Sequence, residues 1–113
     1  MQRELSIETH MSPDGSLLVL SGELDIASAP RLRAEINALV AGGVRNLVVD
    51  LHDADFIDAV GLGAVVQASK LLSAHGGRFS IVRPKEGVMK IFTITGLAGS
   101  FEMYDTPEQA AVS

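Results

Sequence analysis

The chain has 113 residues, of which 47% are hydrophobic and 20% charged, and its formal net charge is −5. This length fits one domain, and the hydrophobic content excludes an intrinsically disordered chain. No apolar run reaches the roughly 18–20 residues of a membrane span and no secretory signal is evident, so we expect a cytoplasmic protein without direct membrane insertion. The lack of cysteine excludes disulfides and thiolate metal sites. The negative net charge disfavours non-specific binding to nucleic acid, which is itself negatively charged.

The first third of the chain predicts a hairpin followed by a helix. Residues 5–10 alternate apolar and polar side chains, and residues 16–21 are almost continuously apolar. The sequence Pro13-Asp14-Gly15 between them is typical of a turn. Ser28 is a candidate helix N-cap, because Pro30 fits the first helical turn and apolar residues then recur at helical spacing up to a glycine pair.

The rest of the chain alternates between strand and helix patterns. Short apolar runs predict two more buried strands, at 47–51 and 79–82, and a last short strand at 101–104. Helical spacing predicts a helix that begins at the N-cap Asp58 and a shorter helix over 88–95. The sequence Thr106-Pro107-Glu108-Gln109 is typical of a helix start, so a short terminal helix follows.

The predicted order of elements is ββαβαβαβα, which indicates an α/β fold. Alternation of strands and helices favours a mixed, mostly parallel sheet of about five strands with about four helices, and the hairpin supplies an antiparallel edge. The sequence contains no repeat, linker or low-complexity segment. We therefore expect a single domain over residues 1–113, with its core at about 5–110.

Four carboxylates, Asp50, Asp53, Asp55 and Asp58, lie close together around a predicted strand end. Two of them could form an acid/base pair or bind Mg²⁺, because open α/β sheets bind ligands at the carboxyl ends of strands. The alternative is a solvated acidic loop whose last aspartate caps the helix. The sequence has no nucleophile elbow, P-loop or dinucleotide fingerprint, and its three histidines lack ligand spacing. We expect no catalysis, no cofactor and no metal site.

The segment 50–63 predicts a strand, an acidic loop and then a helix start. Free N–H groups and the positive end of the helix dipole should meet solvent beside Ala59, Val60 and Gly61. Small side chains there should leave the backbone open to an approaching partner. These features indicate an interaction or anion site.

Two motifs give the chain a family resemblance. The sequence L-S-G-E-L-D at 20–25 and the sequence V-V-D-L-H-D-A-D-F-I-D-A-V-G-L-G at 48–63 resemble the STAS domain. More narrowly, the chain resembles the single-domain bacterial anti-sigma factor antagonists, and Gly96-Leu97 fits the S-G-L that ends the third helix in that family. The resemblance covers residues 5–110 and implies that the helices pack on largely one face of the sheet.

The resemblance implies partner switching in transcription regulation. Such antagonists bind an anti-sigma factor that is also a serine kinase of the GHKL type, and thereby release the sigma factor. The kinase phosphorylates a serine in D-S-[ST]-G at the helix start, and the added charge ends binding. Here the phosphoacceptor position is Ala59 and the next is Val60, so neither accepts phosphate. The implied partner-binding residues are Asp58, Ala59, Val60, Gly61, Leu62, Glu23 and Asp25.

Other interpretations remain open at this point. The chain could be a STAS accessory subunit of a transporter of the ABC lipid-transport type, or of a multi-protein signalling complex, because such subunits dock through the same helix and need no serine. A homodimer is a further candidate assembly. Asp25 has the alternative role of binding its own loop backbone. Met89, Phe92 and Leu97 could form a docking patch, although their spacing favours core packing.

Overall fold

The element order matches the predicted one throughout residues 3–13 and 15–111, which the computed structural model describes. Asp14 of the predicted turn lies outside the described residues. The strands are β1 Ser6–Ser12, β2 Gly15–Leu24, β3 Asn46–Ile57, β4 Arg78–Val82 and β5 Glu102–Tyr104. The helices are α1 Ala29–Ala41, α2 Ala59–Ala74, α3 Glu86–Ile94 and α4 Pro107–Ala111, and a 3₁₀ turn, Ala98–Ser100, precedes β5.

The described strands form one mixed sheet in the order β1-β2-β3-β4-β5. β1 pairs with β2 in antiparallel fashion, and every later neighbour is parallel. Because each right-handed crossover steps to the next strand in the same direction, α1, α2 and α3 lie on one face of the sheet. α4 packs on the opposite face, where Ala110 is buried with Val48 and Val82. The predicted α/β class and the mostly parallel sheet are confirmed.

The main core lies between the three crossover helices and the sheet. Phe92 of α3 is fully buried, and its ring meets the edge of Phe101 at a centroid distance of 5.8 Å. Met89 and Leu97 pack against the same core, which confirms that these residues are core rather than a docking patch. Besides Phe92, the largest side chains that are fully buried in this layer are Leu18, Leu20, Leu24, Leu32, Leu47, Leu51, Leu72 and Ile81.

Strand β3 is longer than its apolar run predicts. It continues past residue 51 to Ile57, because β2 also continues to Leu24 and pairs with β3 in parallel as far as Ile57. Two register irregularities interrupt this pairing. Asp53 and Asp55 therefore lie on a strand, and the prediction of an acidic loop there is wrong.

Gly22 shows why a glycine is needed in the L-S-G-E-L-D motif. Its φ of +91° is a conformation that side chains disfavour, and a Cβ there would clash with the backbone oxygen of Glu4. The segment before β1 crosses Gly22 at this point, and Glu23 donates its N–H to the carbonyl of Arg3 at 3.1 Å. The glycine thus lets the N-terminal segment lie along the end of β2.

Candidate functional site

The carboxylate of Asp58 joins two segments at the carboxyl end of the sheet, where β2 and β3 end and α1 and α2 begin. Asp58 is the N-cap of α2, and its Oδ1 accepts a hydrogen bond from the Gly61 N–H at 2.8 Å. Its Oδ2 accepts from the N–H of Ile26, in the loop between β2 and α1, at 3.0 Å. The predicted cap is confirmed, and the same side chain also holds the neighbouring loop.

The first turn of α2 presents only part of the predicted contact set. Ala59 and Val60 are exposed and Asp58 is half-buried, whereas Gly61 and Leu62 are buried. The expectation that Gly61 leaves its backbone open is wrong, because a Cβ there would clash with the carbonyl of Leu24 and its N–H is already capped. Gly61 therefore lets the helix start lie close to the end of β2.

The loop between β2 and α1 is held by its own side chains. Asp25 Oδ1 accepts hydrogen bonds from the N–H groups of Ala27 and Ser28, at 3.0 and 3.1 Å, as the alternative role for Asp25 predicts. Ser28 occupies the N-cap position of α1 but does not cap it. Its buried hydroxyl instead donates to the carbonyl of Glu23 at 2.8 Å, so the predicted cap is replaced by a bond that closes the loop.

Large apolar side chains are exposed at this end of the sheet. Ile26 is 70% exposed, Phe56 48% and Val60 36%. Ile26 lies in the loop that is hydrogen-bonded to Asp58, and Phe56 and Val60 are each two residues from Asp58 in the sequence. The sequence interpretation missed Ile26 and Phe56. No local signal marks Phe56 as exposed, because the sequence ends the strand near residue 51, and in the structure Asp55 and Phe56 are both exposed, so burial does not simply alternate there.

Carboxylates lie on the strand ends that carry or adjoin these apolar side chains: Asp55 precedes Phe56 on β3, and Glu23 is the register partner of Phe56 on β2. Arg3 Nε lies 2.9 Å from Asp55, and the Arg3 backbone N–H donates to Glu23 at 3.1 Å. Lys85 Nζ lies 4.0 Å from Asp53. All of these side chains are at least partly exposed, so the ion pairs are weak. We call the residues Glu23, Ile26, Asp53, Asp55, Phe56, Ala59 and Val60 the carboxyl-end surface.

The structure does not assemble the four aspartates into a reactive centre. Asp50 accepts a hydrogen bond from the His52 N–H, Asp53 and Asp55 face separate cations, and Asp58 holds backbone N–H groups. In residues 3–13 and 15–111, no group of three or more His, Asp or Glu side chains is placed to hold a metal ion. Over the same residues, no helix is long and apolar enough to cross a bilayer. The solvated interpretation of this acidic segment is favoured.

Comparison with known proteins finds relatives across nearly the whole chain. The STAS domain family model matches residues 6–110. The anti-sigma F factor antagonist of Lysinibacillus sphaericus is 35% identical over 92 residues, which are 80% of this chain and 78% of that protein. The STAS match over residues 6–110 includes all of the carboxyl-end surface.

Solved structures share the fold. The anti-sigma factor antagonist from Mycobacterium paratuberculosis superposes with a TM-score of 0.85 at 28% identity, covering 96% of this chain and 92% of that one. The Bacillus cell fate determinant SpoIIAA in its phosphorylated form gives a TM-score of 0.73 at 26% identity, covering 93% and 96%. A protein of this fold is therefore known in a phosphorylated state.

Proposed function

Because the chain belongs to the STAS domain family and has anti-sigma factor antagonists among its relatives, we propose that it binds an anti-sigma factor and thereby releases a sigma factor. The observation that carries the proposal is the carboxyl-end surface. Ile26 in the loop after β2, Phe56 near the end of β3 and Val60 in the first turn of α2 are all exposed at the carboxyl end of the sheet, where the resemblance implies that the partner binds. Grouped apolar side chains on a protein surface mark an interaction site.

We further propose that this antagonist works without the serine switch. Its partner would be an anti-sigma factor of the GHKL serine-kinase type, and the phosphoacceptor position would be Ala59. Ala59 and Val60 offer only methyl groups, and phosphoryl transfer needs a hydroxyl oxygen in line with the γ-phosphate. Binding should therefore persist in the presence of ATP.

Nearby hydroxyl groups do not replace the missing serine. The Ser28 hydroxyl lies close to the carboxyl-end surface, but it is buried and bonded to Glu23 and Asp25. Ser69 is the next serine along α2, roughly 15 Å from Ala59 at 1.5 Å rise per residue. A kinase docked at the helix start would reach neither of them.

Displacement of a sigma factor tests the proposal directly. Each anti-sigma factor of the source organism is purified in complex with its sigma factor, and the antagonist is then added with ATP and Mg²⁺. Size-exclusion chromatography should show a new complex of antagonist with anti-sigma factor, together with free sigma factor. If none of the anti-sigma factors binds, the proposal is wrong, and capture of a transporter subunit instead would favour the accessory-subunit alternative.

An Ala59→Asp variant tests where the partner docks. A carboxylate at the first position of α2 suits the helix dipole, so the variant should fold normally. In a complex, the same carboxylate would be desolvated beside the apolar side chain of Val60, in the apolar part of the interface, so we expect at least tenfold weaker binding, about 1.4 kcal/mol. Calorimetry measures the change, with Ala34→Asp on the exposed side of α1 as the control. Equal affinities for both variants would place the interface elsewhere.

A further inference from the structure

The exposure and fixed position of Ile26 point to one dominant contact within the carboxyl-end surface. We propose that Ile26 is the anchor residue for the partner, that it enters an apolar pocket bordered by Arg or Lys side chains, and that Asp58 is the positioning residue that holds it there. This inference rests on the proposed function. Beyond that function, it identifies the side chain that selects the partner and the chemistry of the partner's binding pocket.

Ile26 is exposed although the loop that carries it is well held. Its backbone N–H is bonded to Asp58, while the next two N–H groups in the loop are bonded to Asp25. The buried Ser28 hydroxyl closes the loop onto Glu23. A β-branched side chain on such a loop has few rotamers to lose, so little entropy opposes its burial in a complex.

Asp58 links the position of Ile26 to the position of α2. One carboxylate oxygen binds the first turn of the helix and the other binds the loop, at 2.8 and 3.0 Å. The Asp58 N–H also donates to the carbonyl of Leu24 at 3.2 Å, which fixes the cap against the end of β2. Ile26 and Val60 are therefore presented as parts of one rigid surface rather than on two independent segments.

The charges of the carboxyl-end surface indicate the chemistry of the partner. Glu23 is the register partner of Phe56 and Asp55 precedes Phe56 on β3, while Asp53 pairs with Lys85 and Asp55 with Arg3. A partner that covers the carboxyl-end surface also meets these carboxylates, and complementary Arg or Lys side chains on it would be attracted to them. Such rim charges act on the association rate, whereas an apolar anchor acts on the dissociation rate.

An alanine variant with a matched control tests the anchor. Ile26→Ala should weaken binding to the purified anti-sigma factor at least tenfold, mainly through faster dissociation, as measured by surface plasmon resonance. Ile94→Ala is the control, because Ile94 is 82% exposed and ends α3, away from the carboxyl-end surface. The Ile94→Ala variant should change the dissociation constant for the anti-sigma factor less than twofold. Glu23→Gln should slow association and reduce its dependence on salt.

A double-mutant cycle tests the positioning role of Asp58. Asp58→Asn cannot accept both hydrogen bonds through its amide, so the Ile26 N–H or the Gly61 N–H loses its partner. If Asp58 acts through Ile26, Asp58→Asn should weaken binding severalfold in the wild type and much less in the Ile26→Ala background. Amide hydrogen exchange at Ile26, measured without partner, should be faster in Asp58→Asn.

The outcomes separate this inference from the proposed function. If the wild type binds no anti-sigma factor, the proposed function and the inference are both overturned. If the wild type binds and Ile26→Ala matches Ile94→Ala, the anchor is overturned while the function stands. If the cycle is additive, the positioning role of Asp58 is overturned and the anchor stands.

Discussion

The methyl groups of Ala59 and Val60 are a small chemical difference with a large regulatory effect under the proposed function. Phosphorylation would place a charge of about −1.5 to −2 beside Phe56 and the Asp58 cap. Without an acceptor hydroxyl, the carboxyl-end surface keeps one charge state whatever the kinase does. Binding would then be controlled by the amount of antagonist present, rather than by its modification.

An Ala59→Ser variant should regain the switch. When incubated with the anti-sigma factor kinase, ATP and Mg²⁺, the wild type should keep its intact mass while Ala59→Ser gains one phosphate. Transfer should be slow, because Val60 crowds the neighbouring position. Intact-mass spectrometry reads both samples after the same incubation. A stoichiometric phosphate on the wild type would show that another residue is the acceptor.

Two glycines in one helix should respond in opposite ways to alanine. A Cβ on Gly61 would clash with the Leu24 carbonyl, whereas a Cβ on Gly63 meets nothing within contact distance. We expect Gly61→Ala to lower the free energy of unfolding by about 1–3 kcal/mol. Gly63→Ala should raise it by up to about 1 kcal/mol through helix propensity. Urea unfolding measures both, and equal effects would contradict the close approach of α2 to β2.

At the scale of elements, the sequence predicts every α-helix and strand that the structure describes, but not the 3₁₀ turn Ala98–Ser100 or where β2 and β3 end. Buried strands and helix starts can be recognised from the sequence because each has a local pattern, an apolar run in the first case and a capping residue in the second. The continuation of β3 to Ile57 depends on pairing with β2, which is a long-range contact that has no local pattern. For the same reason, Asp58 is recognisable as an N-cap, while its bond to the Ile26 N–H is not.

The short edge strand β5 is tied to β4 by a polar cluster. Arg78 donates to Glu102 at 2.6 Å and to the Tyr104 hydroxyl at 2.8 Å. The hydrogen bond from Arg78 is the main reason that the pKa of Glu102 lies below its ordinary value, and the same bond raises the pKa of Arg78. These contacts hold β5 in register where few strand residues are available to do so.

Acid should weaken this cluster. Because the folded pKa of Glu102 is lowered, its contribution to stability is present above the ordinary glutamate pKa of 4.5 and is lost as the pH falls through the folded value. Urea midpoints of Glu102→Gln and wild type should therefore differ at pH 7 and converge in acid. The difference should be small and should shrink in salt, because the pair is exposed. A difference that does not change with pH would contradict the ion pair.

At the scale of the whole molecule, the fold brings the ends of β2 and β3 and the starts of α1 and α2 to one edge of the sheet, which the proposed function uses as a binding surface. Open α/β enzymes hold substrates at the carboxyl edge of the sheet. Here that edge carries exposed apolar side chains, and its carboxylates Asp53 and Asp55 pair with two different cations. The purified chain should therefore show no hydrolysis of ATP, GTP, phosphoesters or acyl esters above a blank. Turnover that survives repurification and disappears in Asp55→Asn or Asp58→Asn would contradict this.

The crossing of the N-terminal segment over Gly22 decides how the protein should be immobilised. Arg3 touches Glu23 and Asp55, so an affinity tag or fluorophore fused ahead of it emerges beside the carboxyl-end surface. α4 instead ends at the amino edge of the sheet, where Ala111 lines a cavity with Asn46 at the start of β3. A bait attached to a sensor chip or resin through its C-terminus keeps the surface open to incoming proteins, whereas an N-terminal attachment would block it and mimic a loss of affinity.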